Sequence, residues 1–478
     1  MNLHKFDTKV QYLKYRALLG VARAAWEDRL QEVLFTLPKE IVPGKEATMR
    51  CCVFKERAVF SERIHLAMGG NPENPNVIEV LDIACDECPA SGYEITDTCR
   101  GCIAHRCEEV CPKQAITFDE HLKGHIDKSK CINCGRCATV CPYSAIANRR
   151  RPCQNACKVQ HTIGMAEDFS ATIDNDRCLS CGSCVYQCPF GAIMDKSYIL
   201  DAISMLKAAG KNHPLFAVVA PAVASQFDSV TVGQIFAGLK ALGFTHVVET
   251  ALGADMVARQ EARELLEKGF LTTSCCPAFV SFVQKEFPQL AGNVSTTPSP
   301  MAMIGRYIKE HCPQAKVVFI GPCITKKAEA QKPEVKPYID CVLTFEELQA
   351  LFDSRELDLA SLEDLPVEDA SPFGRTFARS GGVTGAVRQA LAELGADGFE
   401  FKPVVCNGIE ECRTALLKAA RGKLDGNFIE GMHCVGGCVN GSGCLSHISN
   451  KSISVDRFGA AARKKQLEEA VSSAQEIF

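Results

Sequence analysis

CINCGRCATVCP at residues 131–142 recurs as CLSCGSCVYQCP at residues 178–189. Both read C-x2-C-x2-C-x3-C-P, so Cys131, Cys134, Cys137 and Cys141 repeat as Cys178, Cys181, Cys184 and Cys188. Gaps this short let three thiolates converge on one four-iron cubane, while the fourth, ahead of proline, reaches a neighbouring cluster. The chain carries 28 cysteines in 478 residues. Its N-terminus, MNLHKFDTKVQYLKYRALLG, mixes charges into its apolar positions and does not read as a secretion signal. In a reducing compartment thiols ligate metal rather than pair as disulfides, so a cytoplasmic iron–sulfur protein is expected.

With 46% apolar and 23% charged residues, the chain can bury a large core and form two or three domains. Its 53 basic and 57 acidic residues leave a net charge of −4, which drives it toward neither nucleic acid nor an anionic membrane. No stretch approaches the roughly 18 consecutive apolar residues of a membrane span.

A third run, CRGCIAHRCEEVCP, supplies Cys99, Cys102, Cys107 and Cys111 with a wider middle gap, and resembles a motif of multi-cluster ferredoxin subunits. Its distance from the 131–141 run suits the two halves of a small dicluster ferredoxin. One cluster would then take Cys99, Cys102, Cys107 and Cys141, and its partner Cys131, Cys134, Cys137 and Cys111. The 178–188 run is left with CDECP (Cys85, Cys88) and RPCQNACK (Cys153, Cys157), which together resemble one split motif. On that reading Cys178, Cys181 and Cys184 join Cys157, while Cys85, Cys88 and Cys153 join Cys188. Two to four accessory [4Fe-4S] clusters are expected, four under this pairing. The alternative pairs the 131–141 and 178–188 runs directly and leaves eight thiols to arrange themselves.

Residues 189 to 274 contain no cysteine, and the texture changes. PLFAVVAPAV, THVVETALG, KVVFIGPC and DCVLTF read as buried strands, with DMVARQEARELLEKG and FEELQALFDS as helices between them, so α/β layers with a partly parallel sheet are predicted. Sites in such sheets gather at strand ends. TTSCCP and GPCITKK both follow apolar runs, and a last cysteine pair lies in EGMHCVGGCVNGSG, where glycines allow close approach to a cofactor.

TSCCPAFV, GPCITKKAEA and EGMHCVGGCVNGSG together resemble the three signature loops of the [FeFe]-hydrogenases, in order and at similar separations, over residues 130 to 445. The resemblance implies an α+β / α/β multidomain protein: a ferredoxin-like [4Fe-4S] domain followed by a two-lobed α/β hydrogenase catalytic domain. Boundaries are expected at 1–80 for a mainly helical N-terminal segment, 81–200 for the iron–sulfur domain and 201–478 for the catalytic domain. It also implies that Cys276, Cys323, Cys434 and Cys438 hold a [4Fe-4S] cubane, with Cys438 bridging to a di-iron unit that carries CO, cyanide and a dithiolate bridge: the H-cluster. Cys275 resembles the family's free thiol, which passes protons because it binds no metal. Glu261, Glu264 and Ser295 match its relay groups, and the two glutamates share a helix face. Lys326 resembles the lysine that hydrogen-bonds a cyanide. Met432 matches a methionine beside the bridging ligand, and Ala220, Pro221 and Ala222 a segment lining the opposite wall.

The activity so implied is reversible interconversion of protons and electrons with H2. Electrons would pass through the accessory clusters from or to a ferredoxin-like carrier, and maturation enzymes would build the di-iron unit. Departures from the common pattern are Ala278 and Phe279 for glycine and tryptophan, Gly321 for methionine, Met301 for glutamine, and NGSGCL for a glycine triplet followed by glutamine and proline. All alter groups around the ligands, which tune potential and access. Alternatives are a hydrogen-sensing relative of low turnover, a multi-cluster electron carrier, or an iron–sulfur assembly protein without the di-iron unit. Cys51, Cys52, Cys312, Cys341, Cys406, Cys412 and Cys444 read as free thiols, with Cys444 close enough in sequence to Cys438 to touch the site. ALLGVARAAWEDRLQEVLF reads as helix, and ARSGGVTGAV matches no full nucleotide fingerprint.

Overall fold

The computed structural model describes residues 5–89, 91–210, 213–227, 229–447 and 451–478. The N-terminal segment is helical. Helix α1 (Lys9–Trp26) starts where Thr8 accepts the amide of Gln11 and buries Ala17, Leu18, Val21 and Ala22. The helical pattern read through to Phe35 is broken after Trp26, because Asp28 turns left-handed (φ 57°) before a separate short turn at Leu30–Val33. Helix α2 (Val53–Ala67) follows. Both pack into the core of the catalytic part rather than forming one of their own.

The cysteine-rich part is built from two-stranded antiparallel ladders: 78–80 with 193–195, 92–95 with 146–149, 116–118 with 124–126, and 163–165 with 171–173. Within each Cys run a residue of left-handed backbone curls the loop: Gly135 and Gly182 stand at φ 75° and 76°, and Asn133 and Ser180 at 55° and 53°. Glycine takes this conformation at no steric cost. After each Cys-Pro the chain turns back so that the amides of Ala115, Ala145 and Ala192 donate to Cys111, Cys141 and Cys188 Sγ at 3.3 to 3.4 Å. One sequence pattern therefore makes one local structure three times.

The catalytic part contains two parallel sheets. Strands β1 (Leu215–Val219), β2 (His246–Glu249), β3 (Leu271–Thr272), β4 (Lys316–Gly321), β5 (Cys341–Thr344), β6 (Pro403–Asn407) and β7 (Phe428–Met432) follow in chain order. One sheet runs β2-β1-β4-β5 and the other β3-β7-β6, with every pairing parallel. The continuously apolar β1 is buried along its whole length, as a strand covered on both faces must be. Helix α3 (Thr250–Lys268) connects the sheets and ends at Gly269, which is left-handed (φ 72°).

A buried ionic cluster joins the parts. Lys14 of α1 bridges Asp195 and Glu346, while Lys327 bridges Asp195 and Glu347 at 2.8 and 2.9 Å. Burial alone would lower the pKa of the Lys14 ammonium, but the two carboxylates hold it well above the usual lysine range. Charges this deep persist only when paired.

Candidate active site and thiol clusters

The three cysteine loops leave the C-terminal ends of β3, β4 and β7, two from one sheet and one from the other, and meet between the sheets. Cys276 caps helix α4 (Pro277–Glu286), whose first residue is the proline of TSCCP. Cys276, Cys323, Cys434 and Cys438 converge there. Burial pushes Cys323 up to about 11 and Cys438 to about 12, with neighbouring thiols adding to both shifts. Four such thiolates crowded in a dry pocket need a multiply charged cation, so this donor set fits an iron–sulfur cubane. Among the described residues no three His, Cys, Asp or Glu side chains grip a single metal ion. Thiolates around a four-iron cluster are held apart by the cluster itself.

Beside these thiols lies a cavity lined by Cys276, Cys323 and Cys438 on one side and by Ala220, Pro221, Met301, Phe319, Phe377 and Met432 on others. Ala222 lies just behind this wall, fully buried. Three further polar side chains line it: Cys275, Lys326 and Thr250. The Lys326 ammonium is 2.6 Å from Glu329 Oε2 and 3.4 Å from the Cys275 carbonyl. Burial acts to lower its pKa, but Glu329 outweighs this, so it stays charged. An apolar chamber holding one cation and one thiol beside four metal-competent thiols suits a compact anionic group.

Cys275 is buried, and desolvation holds its thiol protonated, with Glu261 adding to the effect. Behind it, Glu261 Oε1 accepts from Ser274 N (3.1 Å) and Oγ (3.3 Å), while Glu261 Oε2 is buried without a partner. Desolvation pushes this carboxyl up to about 8 despite the Ser274 bonds. One helical turn away, Glu264 takes Ser295 Oγ at 2.6 Å, Thr296 N at 3.0 Å and Lys268 Nζ at 2.6 Å. Burial raises this carboxyl too, but Lys268, Ser295 and Thr296 outweigh it and hold it below its ordinary value. Lys268 reaches solvent. Thr297 closes the track, donating its amide to Ser295 Oγ and accepting Ser274 Oγ at its carbonyl.

The accessory thiols fall into groups. Cys111, Cys131, Cys134 and Cys137 line one small cavity, and Cys157, Cys178, Cys181 and Cys184 another. Cys153 faces Cys188, Cys85 and Cys88. Cys107 faces Cys102 and Cys141, and Cys99 opens the same loop. Of the remaining thiols, Cys406 and Cys412 meet in the core behind Cys276. Cys444 does not line the cavity; its thiol rests on the Cys438 and Val439 carbonyls.

Two of the departures, Phe279 and Gly321, have a neighbour that accommodates them. Phe279 lies flat on Gly431, where a Cβ would meet the ring at 2.3 Å. Gly321 leaves room for the Phe319 ring, which a Cβ would meet at 2.6 Å. Sequence reasoning missed Thr250, whose Oγ1 is buried without a partner at the cavity, and Glu329, which neutralises Lys326. Nothing local marks Thr250. Glu329 was legible as the residue one helical turn after Lys326.

Comparison with known proteins places these features. Residues 213–442 match the family described as iron only hydrogenase large subunit, C-terminal domain. Residues 98–145 match a 4Fe-4S dicluster domain and residues 171–194 a 4Fe-4S binding domain. The chain is 30% identical over 399 residues to iron hydrogenase 1 of Clostridium pasteurianum, covering 72% of this chain and 68% of that one. It is 33% identical over 377 residues to the periplasmic [Fe] hydrogenase large subunit of Nitratidesulfovibrio vulgaris, covering 66% and 85%. It is also 24% identical over 281 residues to the cytosolic Fe-S cluster assembly factor narfl of Xenopus tropicalis, covering 46% and 59%. With ferredoxin-type 4Fe-4S domains ahead of the matched catalytic domain, and two hydrogenases matched over most of their length, this chain belongs to the iron-only, or [FeFe]-, hydrogenase family.

Proposed function

We propose that the protein interconverts protons and electrons with H2. The observation that carries this is Cys275: a protonated, buried thiol outside the convergent four, lining the cavity at the head of a track of carboxylates and hydroxyls that reaches Lys268 at the surface. An assembly protein has no use for such a track, although the likeness to an assembly factor keeps that reading as the second one.

Cys276, Cys323, Cys434 and Cys438 would hold the cubane, Cys438 would also face the di-iron unit, and that unit would supply the redox chemistry. The protein does the rest. Lys326 places a fixed cation beside the anionic ligands. Ala220, Pro221, Met301 and Met432 exclude water. The free Glu261 Oε2 is the atom available to exchange a proton with Cys275, and the Ser295 hydroxyl and Glu264 carboxylate lead on to Lys268 at the surface, with Ser274 and the Thr297 main chain holding these groups in line.

Cys99, Cys102, Cys107 and Cys141; Cys111, Cys131, Cys134 and Cys137; Cys85, Cys88, Cys153 and Cys188; and Cys157, Cys178, Cys181 and Cys184 would hold four accessory clusters that exchange electrons with a ferredoxin-like carrier. The division at residues 80 and 200 is part of this reading. A thiol set of this size suits a reducing, cytoplasmic compartment, and among the described residues no helix is long and apolar enough to cross a membrane. Infrared spectra of anaerobically matured protein test the reading. CO and cyanide bands that shift under hydrogen are expected; no bands after verified maturation would favour cluster assembly.

A further inference from the structure

One residue of the third loop touches two thiol groups at once. The main chain of His433 runs beside the Cys276 sulfur, its carbonyl accepts the amide of Ile409 at 3.1 Å, and the next residue is Cys434. Its side chain leaves that group and enters the small chamber lined by Cys157, Cys178, Cys181 and Cys184. There the imidazole lies against the Cys181 sulfur, close enough to act on its charge. Nδ1 is buried without a partner, so Nε2 is the ring nitrogen left to face the sulfur. A second contact clamps the junction. Ser442 Oγ donates to the Cys181 carbonyl at 2.8 Å, and a Cβ on Gly182 would meet that hydroxyl at 2.3 Å.

As packing alone, histidine is a poor choice at this position. It is 7% exposed and strands a ring nitrogen, at a cost of about 1–3 kcal/mol that an apolar side chain would avoid. The return is an N–H donated to sulfur. Such bonds stabilise the more negative, reduced state of a cluster and raise its potential.

We infer that His433 is a positioning residue for electron passage: its Nε2–H donates to Cys181 Sγ and makes the cluster that Cys157, Cys178, Cys181 and Cys184 would hold easier to reduce. The inference rests on reading those thiols as a [4Fe-4S] site and is independent of the di-iron unit.

The test uses the full chain with its iron–sulfur clusters assembled anaerobically and no di-iron unit, in redox titrations followed by electron paramagnetic resonance. His433→Ala is expected to make one accessory cluster harder to reduce, lowering its reduced-to-oxidised ratio at a fixed potential roughly three- to tenfold, about 30–60 mV for a one-electron couple. His433→Gln, which keeps an N–H donor, is expected to recover most of that shift. Unchanged midpoints in His433→Ala at full iron content overturn the inference, and so does a His433→Gln variant displaced as far as His433→Ala. If His433→Ala loses iron, the unsubstituted protein decides. With nitrogen-15 histidine, pulsed resonance of the reduced cluster is expected to show a weak nitrogen coupling that vanishes in His433→Gln; no coupling overturns the inference. Failure of the hydrogenase reading shows elsewhere, as missing CO and cyanide bands, and leaves these midpoints unmoved.

Discussion

Under the proposed function the adjacent Cys275 and Cys276 would divide their labour, because metal binding and proton transfer are incompatible at one sulfur. Cys276 points to the convergent thiols, whereas Cys275 faces the cavity and Glu261. Cys275→Ala is therefore expected to keep its iron and its CO and cyanide bands while turnover falls about a hundredfold or more; unchanged hydrogen evolution would remove Cys275 from the mechanism. Glu261 makes a second prediction. Its carboxyl is raised to about 8 by desolvation, so it is neutral at pH 7 and ionises above about pH 8. A protonated carboxyl band in infrared difference spectra is expected to vanish as pH rises through that value, and to be absent from Glu261→Gln. The folded chain thus keeps a proton that the unfolded chain has lost, so the contribution of Glu261 to stability is complete below its ordinary range and falls as pH rises to about 8.

Among the elements, β7 and α4 are fitted to each other. Gly431 on the strand and Phe279 on the helix occupy one space. Gly431→Ala is expected to lower iron content, since the ring cannot move within a fully buried contact, and Phe279→Leu in the same chain is expected to restore much of it. Iron analysis of the three variants checks this, and additive losses would refute it. Helix α1 is coupled differently, through Lys14. Lys14→Ala leaves Asp195 and Glu346 without one of their cations, a loss of about 3–5 kcal/mol. A lower apparent melting temperature is expected in scanning calorimetry. Lys5→Ala, which removes only a half-exposed pair with Asp353, is expected to leave it unchanged.

At the scale of the whole molecule, the group of Cys157, Cys178, Cys181 and Cys184 adjoins the third loop through His433. Cys157 and Cys153 lie on the same short turn yet face different groups. Cys157→Ser and Cys153→Ser are each expected to remove one cluster by iron count and resonance spectra, and Cys157→Ser to abolish carrier-driven turnover while the infrared bands remain. Loss of no cluster in either variant would point to the direct pairing of the 131–141 and 178–188 runs.

The family, the iron–sulfur chemistry and the alternation of buried strands with helices were legible from the chain alone, because cysteine spacing and hydrophobic period are local properties. Each C-x2-C-x2-C loop folds by its own backbone, and a continuously apolar run such as LFAVV has few places to go but the centre of a parallel sheet. Tertiary structure decided what depends on distant segments meeting. Thr250 reaches the cavity from the start of α3, Lys14 crosses from the N-terminal helix to Asp195, and His433 turns away from its own loop toward Cys181. No period or spacing encodes these contacts. They follow from the packing of two sheets and a thiol-rich module against one another, where each buried polar group must find its partner.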